Sequence, residues 1–134
     1  MRLLQRGGNM PDKPPRDLGE RTFNFACEVV KYCRELSKEP GVVRNIAWQL
    51  SDAATSAAAN YQEAKAAYSR KEFAVKTSLS LKELRESDLW LRMVLVCELG
   101  RREPATRLQR ESNELVAIFT ASMRRLRPVR TPNF

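Results

Sequence analysis

Residues 42–67 read VVRNIAWQLSDAATSAAANYQEAKAA, and the apolar positions are Val43, Ile46, Ala47, Leu50, Ala53, Ala54, Ala57 and Tyr61. Gaps of three and four residues put these side chains on one stripe of a helix. Neither Gly nor Pro interrupts the run. The C-terminal half of the stripe is nearly all alanine. High helix propensity explains the abundance of alanine. Its place on the inward stripe also lets another helix approach closely. The stretch therefore predicts one long helix, built to pack on a neighbour.

The same reading extends outward in both directions. Upstream, Pro40-Gly41 forms a turn and ends a first helix predicted over 18–38. That helix opens at Asp17-Leu-Gly-Glu20, where Asp17 caps the first turn and Glu20 reaches back. Its apolar face is expected to be Phe23, Ala26, Val30, Cys33 and Leu36, with Phe25, Val29 and Tyr32 alongside. Downstream, Ser69-Arg-Lys-Glu72 is a second capping box and predicts a third helix over 70–99, stopped by Gly100. Phe73, Leu79, Trp90, Met93, Val94 and Cys97 form its expected main stripe, flanked by Leu81, Leu84, Leu91 and Leu95. A helix apolar over more than half its circumference implies contacts on two sides, one of them to another subunit. A fourth helix is predicted over 104–127, with Pro104 at its first position and Leu108, Leu115, Ile118, Phe119, Ser122 and Leu126 along one face. Short connections make neighbours antiparallel. The expectation is an all-α fold, an up-down-up-down four-helix bundle over 17–127. Residues 1–16 are expected as a disordered basic leader and 128–134 as a flexible tail. Met10 stands as an alternative start to Met1.

Composition narrows the function. A chain of 134 residues with 43% apolar and 30% charged residues is a single soluble domain. Five glycines and 7% aromatics are poor material for a sandwich or barrel. There is no histidine, so the commonest general base and metal ligand is missing. Cys27, Cys33 and Cys97 form neither a disulfide framework nor a zinc motif and read as small buried hydrophobes. No apolar run spans a bilayer, and the N-terminus lacks a signal-peptide pattern. A cytoplasmic protein with no cofactor, no metal and no membrane partner is expected.

Gln49-Leu-Ser-Asp-Ala-Ala-Thr-Ser56, Ala59-Asn60-Tyr-Gln-Glu63, Ser69-Arg-Lys-Glu-Phe73, Lys76, Leu79, Lys82-Glu83, Glu86-Ser87 and Trp90-Leu91 follow one another in order along helices two and three. This stretch resembles the bacterial four-helix-bundle proteins named after open reading frames in intervening sequences of 23S ribosomal RNA genes. The resemblance implies a bundle assembled as a homopentamer, without established enzymatic activity. A more distant likeness is to the accessory protein of diversity-generating retroelements, whose basic pentameric barrel engages nucleic acid and a reverse transcriptase. That likeness implies an adapter for a nucleic-acid enzyme.

Two residue sets carry the candidate chemistry. Glu83 and Glu86 fall on the stripe of Leu79 and Trp90, while Asn60 and Glu63 lie on or beside the alanine stripe. A carboxylate on a buried face needs a partner. Lys76, Lys82, Arg44, Gln49 and Asn60 are the candidates. Without histidine, a ferritin-type di-metal site cannot be built in its usual form. Ser56 has no partner base for nucleophilic work. Gln49, Asn60, Glu63, Lys82, Glu83 and Glu86 are therefore expected to form a structural polar network. No catalytic residue is assigned.

The second set is cationic. The net charge is +8. Residues 1–16 and 101–134 carry the whole surplus, and residues 17–100 are balanced. An up-down-up-down bundle would gather Arg16, Arg21, Lys65, Arg70, Lys71, Arg124, Arg125, Arg127 and Arg130 at one end. Asp17, Glu20, Glu63 and Glu72 are the nearby acids. Such a pole attracts RNA or DNA through phosphate contacts and counterion release. The competing reading is a structural or protein-partner scaffold, in which these cations serve helix dipoles and solubility.

Overall fold

Local sequence signals place each helix. The computed structural model describes residues 17–126, which form α1 (Leu18–Leu36), α2 (Val42–Lys65), α3 (Arg70–Val96) and α4 (Arg102–Leu126). There is no strand among the described residues. The leader and tail expectations, with Arg16, Arg127 and Arg130, lie outside them. Asp17 caps α1 by accepting from the Glu20 N–H at 3.2 Å. Its carboxyl is held below the usual range, chiefly by that backbone bond. Gly41, at φ 85°, opens α2 without a side-chain cap. Ser69 caps α3 by accepting from the Glu72 N–H at 3.0 Å.

Each helix packs on its neighbours in chain order, and α4 returns to α1 through the slightest contact of the four. The pairs run antiparallel. Glu63 meets Lys76 and Ala57 meets Ser80 across α2 and α3. Arg21 meets Glu111 and Glu28 meets Arg107 across α1 and α4. The core holds Val29, Leu50, Leu84, Leu91, Val94, Leu115 and Phe119, all essentially without solvent contact. Ala47, Ala54 and Ala57 are likewise fully buried. Small side chains there bring α3 close enough for the Ser80 hydroxyl to donate to the Ala57 carbonyl at 2.7 Å. The expected close approach at the alanine stripe is thus seen directly.

Several expectations change on contact with the tertiary structure. The stripe expected to flank on α3 supplies most of its core: Leu81, Leu84 and Leu91 are buried, along with Thr77, Ser80, Ser87 and, from the expected main stripe, Val94. Leu79, Met93 and Cys97 of the expected main stripe are exposed. A helix apolar on two sides does not encode which side faces in, and the small residues Ser80 and Ser87 select the side that can approach α2. On α1, Phe23 is 58% and Val30 42% exposed, because Thr22, Phe25 and Val29 take the inward positions. Phe23, Val30, Ala58 and Ala59 instead line an open apolar groove of about 500 Å³ between α1 and α2. Finally, α3 is closed not by Gly100 but by Glu98, which takes φ 57°. The Leu99 N–H donates to the Val94 carbonyl at 2.9 Å and the Glu98 N–H to the Leu95 carbonyl at 3.2 Å. That pair of bonds is a Schellman closure with a non-glycine residue in the left-handed position. Gly100 sits two residues on at φ 61°, against Leu36 and the Tyr32 hydroxyl. Pro104 is the third residue of α4 rather than the first, still within the turn whose N–H groups lack helical partners.

Candidate nucleic-acid interface

The start of α1, the end of α2, the start of α3 and the end of α4 share one pole, as antiparallel packing requires. Of the cations expected there, Arg21 is withdrawn into the bundle. It is 8% exposed, and its guanidinium donates to both Glu111 oxygens at 2.8 and 2.9 Å and to Glu114. The Glu111 hydrogen bond raises the guanidinium pKa further, against the burial that lowers it. The cause is its position: residue 21 is one step from Thr22 on the inward side of α1, opposite the acidic turn of α4. Lys65 is 3.5 Å from Asp17. Arg70 donates to the Arg125 carbonyl at 3.4 Å, so it serves the C-terminus of α4. Arg70, Lys71, Arg124 and Arg125 are exposed. None of them pairs with a carboxylate among the described residues.

The polar set lies on the outer side of α2 and α3, in separate contacts. Lys76 pairs with Glu63 at 2.8 Å, which lowers the carboxyl pKa and raises that of the lysine. Asn60 donates to the Ser56 carbonyl at 2.9 Å. The Trp90 indole N–H donates to Glu86 at 3.4 Å. Arg44 turns away to the Ser37 carbonyl at 2.8 Å. Burial pushes the Glu83 carboxyl up, with Glu86 and Asp52 adding to it and Lys82 opposing. Gln49 and Lys82 are exposed. Within one protomer these residues share a face but do not join into a single network. Leu79 and Met93 stand exposed between them.

On α3 and α4, four exposed arginines without an ion pair among the described residues fall outside the expected set: Arg85 and Arg92 on α3, Arg102 and Arg110 on α4. The seven-residue interval between Arg85 and Arg92 was the available signal. A chain segment with zero net charge concealed it.

The family model for the 23S rRNA-intervening sequence protein matches residues 17–121, which takes in nearly all of the bundle. The chain belongs to this family. It is also similar to the crystal structure of a protein of unknown function from the S23 ribosomal protein family of Bacteroides thetaiotaomicron. The TM-score is 0.71 at 27% identity, covering 79% of this chain and 97% of that one. No curated protein matches the chain in sequence. Of the residues that carry the family resemblance, Leu50, Ala53, Ala54, Ser87 and Leu91 are buried, while Gln49, Asn60, Glu63, Lys76, Leu79, Glu83, Glu86 and Trp90 occupy the outer side of α2 and α3. Among the described residues no cluster of His, Cys, Asp or Glu is placed to hold a metal, and no helix is long and apolar enough to cross a membrane.

Proposed function

We propose that this member of the 23S rRNA-intervening sequence family is a non-catalytic module. It self-associates as a homopentamer through the outer side of α2 and α3, and it binds the phosphate backbone of RNA or DNA without sequence preference. In the cytoplasm such an assembly would serve as an adapter for a nucleic-acid enzyme. The observation that carries the nucleic-acid reading is the pole where Arg70, Lys71, Arg124 and Arg125 stand exposed without a carboxylate partner among the described residues. Unpaired cations keep their attraction for phosphate, whereas paired ones have lost most of it. The assembly reading rests on the family resemblance and on the face that combines Leu79, Met93 and half-buried Trp90 with Glu83. A second subunit would cover the apolar groups and offer partners to the carboxylate.

Light scattering and nucleic-acid titration test the two halves separately. A stable monomer at micromolar concentration removes the assembly. Labelled RNA and DNA titrated at two salt concentrations should bind at low salt and weaken steeply at high salt. Absent binding, or binding indifferent to salt, removes the polyanion role and leaves a protein-interaction scaffold.

A further inference from the structure

The seam between α3 and α4 is marked by Asp88, which accepts from the Ser112 hydroxyl at 2.7 Å and the Gln109 amide at 2.9 Å. Just outside this seam stand two groups of cations. Lys71, Arg85 and Arg92 line the α3 side, with Ser78 completing a seven-residue repeat; Arg102 and Arg124 stand on the α4 side. All five cations are exposed, and none forms an ion pair among the described residues. The acids of both helices point elsewhere. Glu111 and Glu114 turn to α1 and hold Arg21. Glu103 lies on the α1 side of its helix, in one seven-residue row with Arg110 and beside Arg107, which meets Glu28. Glu72 turns back to the start of α3 and accepts from the Tyr68 N–H at 3.4 Å. Glu83 and Glu86 lie on the α2 side of α3, beside Asp52 and Trp90. Asp88 is half-buried and occupied by its two donors. The space between the cation groups carries Ser78, Ala117 and Thr120. Turning the other acids away has left this flank with five cations against the single carboxylate of Asp88.

We propose that the α3–α4 flank is a docking surface for double-stranded nucleic acid lying along the bundle. This deepens the polyanion reading above and rests on it: the pole is one end of a longer stripe, since Lys71 and Arg124 belong to both. From Lys71 to Arg92 the stripe extends about 30 Å at the rise of an α-helix, close to one turn of duplex, about 34 Å. A duplex is straight on this scale, so a straight stripe meets it without bending cost. Single strands are held largely by stacking on aromatic side chains. The exposed aromatics Phe23, Trp48 and Tyr68 lie on α1, α2 and the α2–α3 turn, away from this flank. Contact through phosphates alone favours the duplex and predicts no sequence preference.

Anisotropy titrations with a duplex of about 20 base pairs, and with one of its strands, test this from about 50 to 200 mM salt. The full chain is compared with a flank variant (Arg85→Gln, Arg92→Gln, Arg102→Gln) and a pole variant (Arg70→Gln, Arg125→Gln). All five side chains are exposed, and circular dichroism checks that the helices persist. The flank variant should lose at least about tenfold in duplex affinity at low salt. Its slope of log K against log salt should fall by about three, near 0.9 per lost phosphate contact. Duplex should outbind the single strand. If the flank variant binds duplex like the parent while the pole variant does not, the flank is overturned and the polyanion reading survives. Preference for the single strand overturns the duplex. Failure of the parent chain to bind either probe overturns both readings.

Discussion

Arg21→Met removes the buried one of the two cations that tie α1 to α4, the helix pair with the slightest contact; the other, Arg107, is exposed and stands 4.0 Å from Glu28. The Arg21 side chain is 10% exposed, against 31% for Glu111 and 57% for Glu114. Its bond to Glu114 reaches a mostly solvated partner and contributes little. Its two bonds to Glu111 are partly buried and charge-assisted. Removing one partner of a buried pair costs about 3–5 kcal/mol, because the other charge is left unpaired. Glu111 keeps some access to water, so the lower end applies and about 3 kcal/mol is expected. At about 4 °C per kcal/mol for a chain of this size, Tm should fall by about 12 °C. Urea unfolding at fixed protomer concentration measures the loss free of mass-action effects. Replacing Glu111 by Met as well should recover about half of the loss or more, since the isolated acid then disappears. A single variant within about 0.5 kcal/mol of the parent would falsify the view that this pair closes the bundle. A double variant as unstable as the single would do the same.

Other outcomes follow from local geometry. Glu98→Gly should raise stability by about 1 kcal/mol, because glycine adopts the left-handed φ at the α3 closure without steric cost; an unchanged urea midpoint refutes that account of the closure. The Cys33 thiol is pushed up to about 12, chiefly by burial, while Cys97 is exposed. Iodoacetamide at neutral pH should therefore modify Cys97 in the native chain and Cys33 only after unfolding, as peptide mass mapping would read. Burial, with help from Glu86 and Asp52, raises the Glu83 carboxyl above its ordinary value of 4.5. The folded protomer thus holds this proton to higher pH than the unfolded chain. The associated stability is full below the ordinary value and is lost as pH rises through the raised one. Glu83→Gln should accordingly stabilise the monomeric protein at pH 7 and match the parent near pH 3.5, about one unit below the ordinary range; equal stability at both pH values rejects this.

Helix existence, order and most of the boundaries were legible because they are written in neighbouring residues. Asp17 and Ser69 cap their own first turns, Pro40-Gly41 cannot continue a helix, and the alanine stripe has one period and one low-volume face. The resemblance was legible for the same reason, since its elements follow one another along two adjacent helices.

What the chain alone left open was rotation and pairing. The α3 helix is apolar on two sides, and only the fit of Ser80 and Ser87 against α2 decided that Leu84 and Leu91 go inward while Leu79 and Met93 face out. Arg21 read as a member of the basic pole because its acids lie far along the chain, on α4. Equal numbers of acids and bases over residues 17–100 likewise hid the exposed row of Lys71, Arg85 and Arg92 on α3, for a sum along the chain carries no direction. Periodicity fixes a stripe on each helix; which stripe is buried, and which charges meet, depends on surfaces that come together only when the four helices pack.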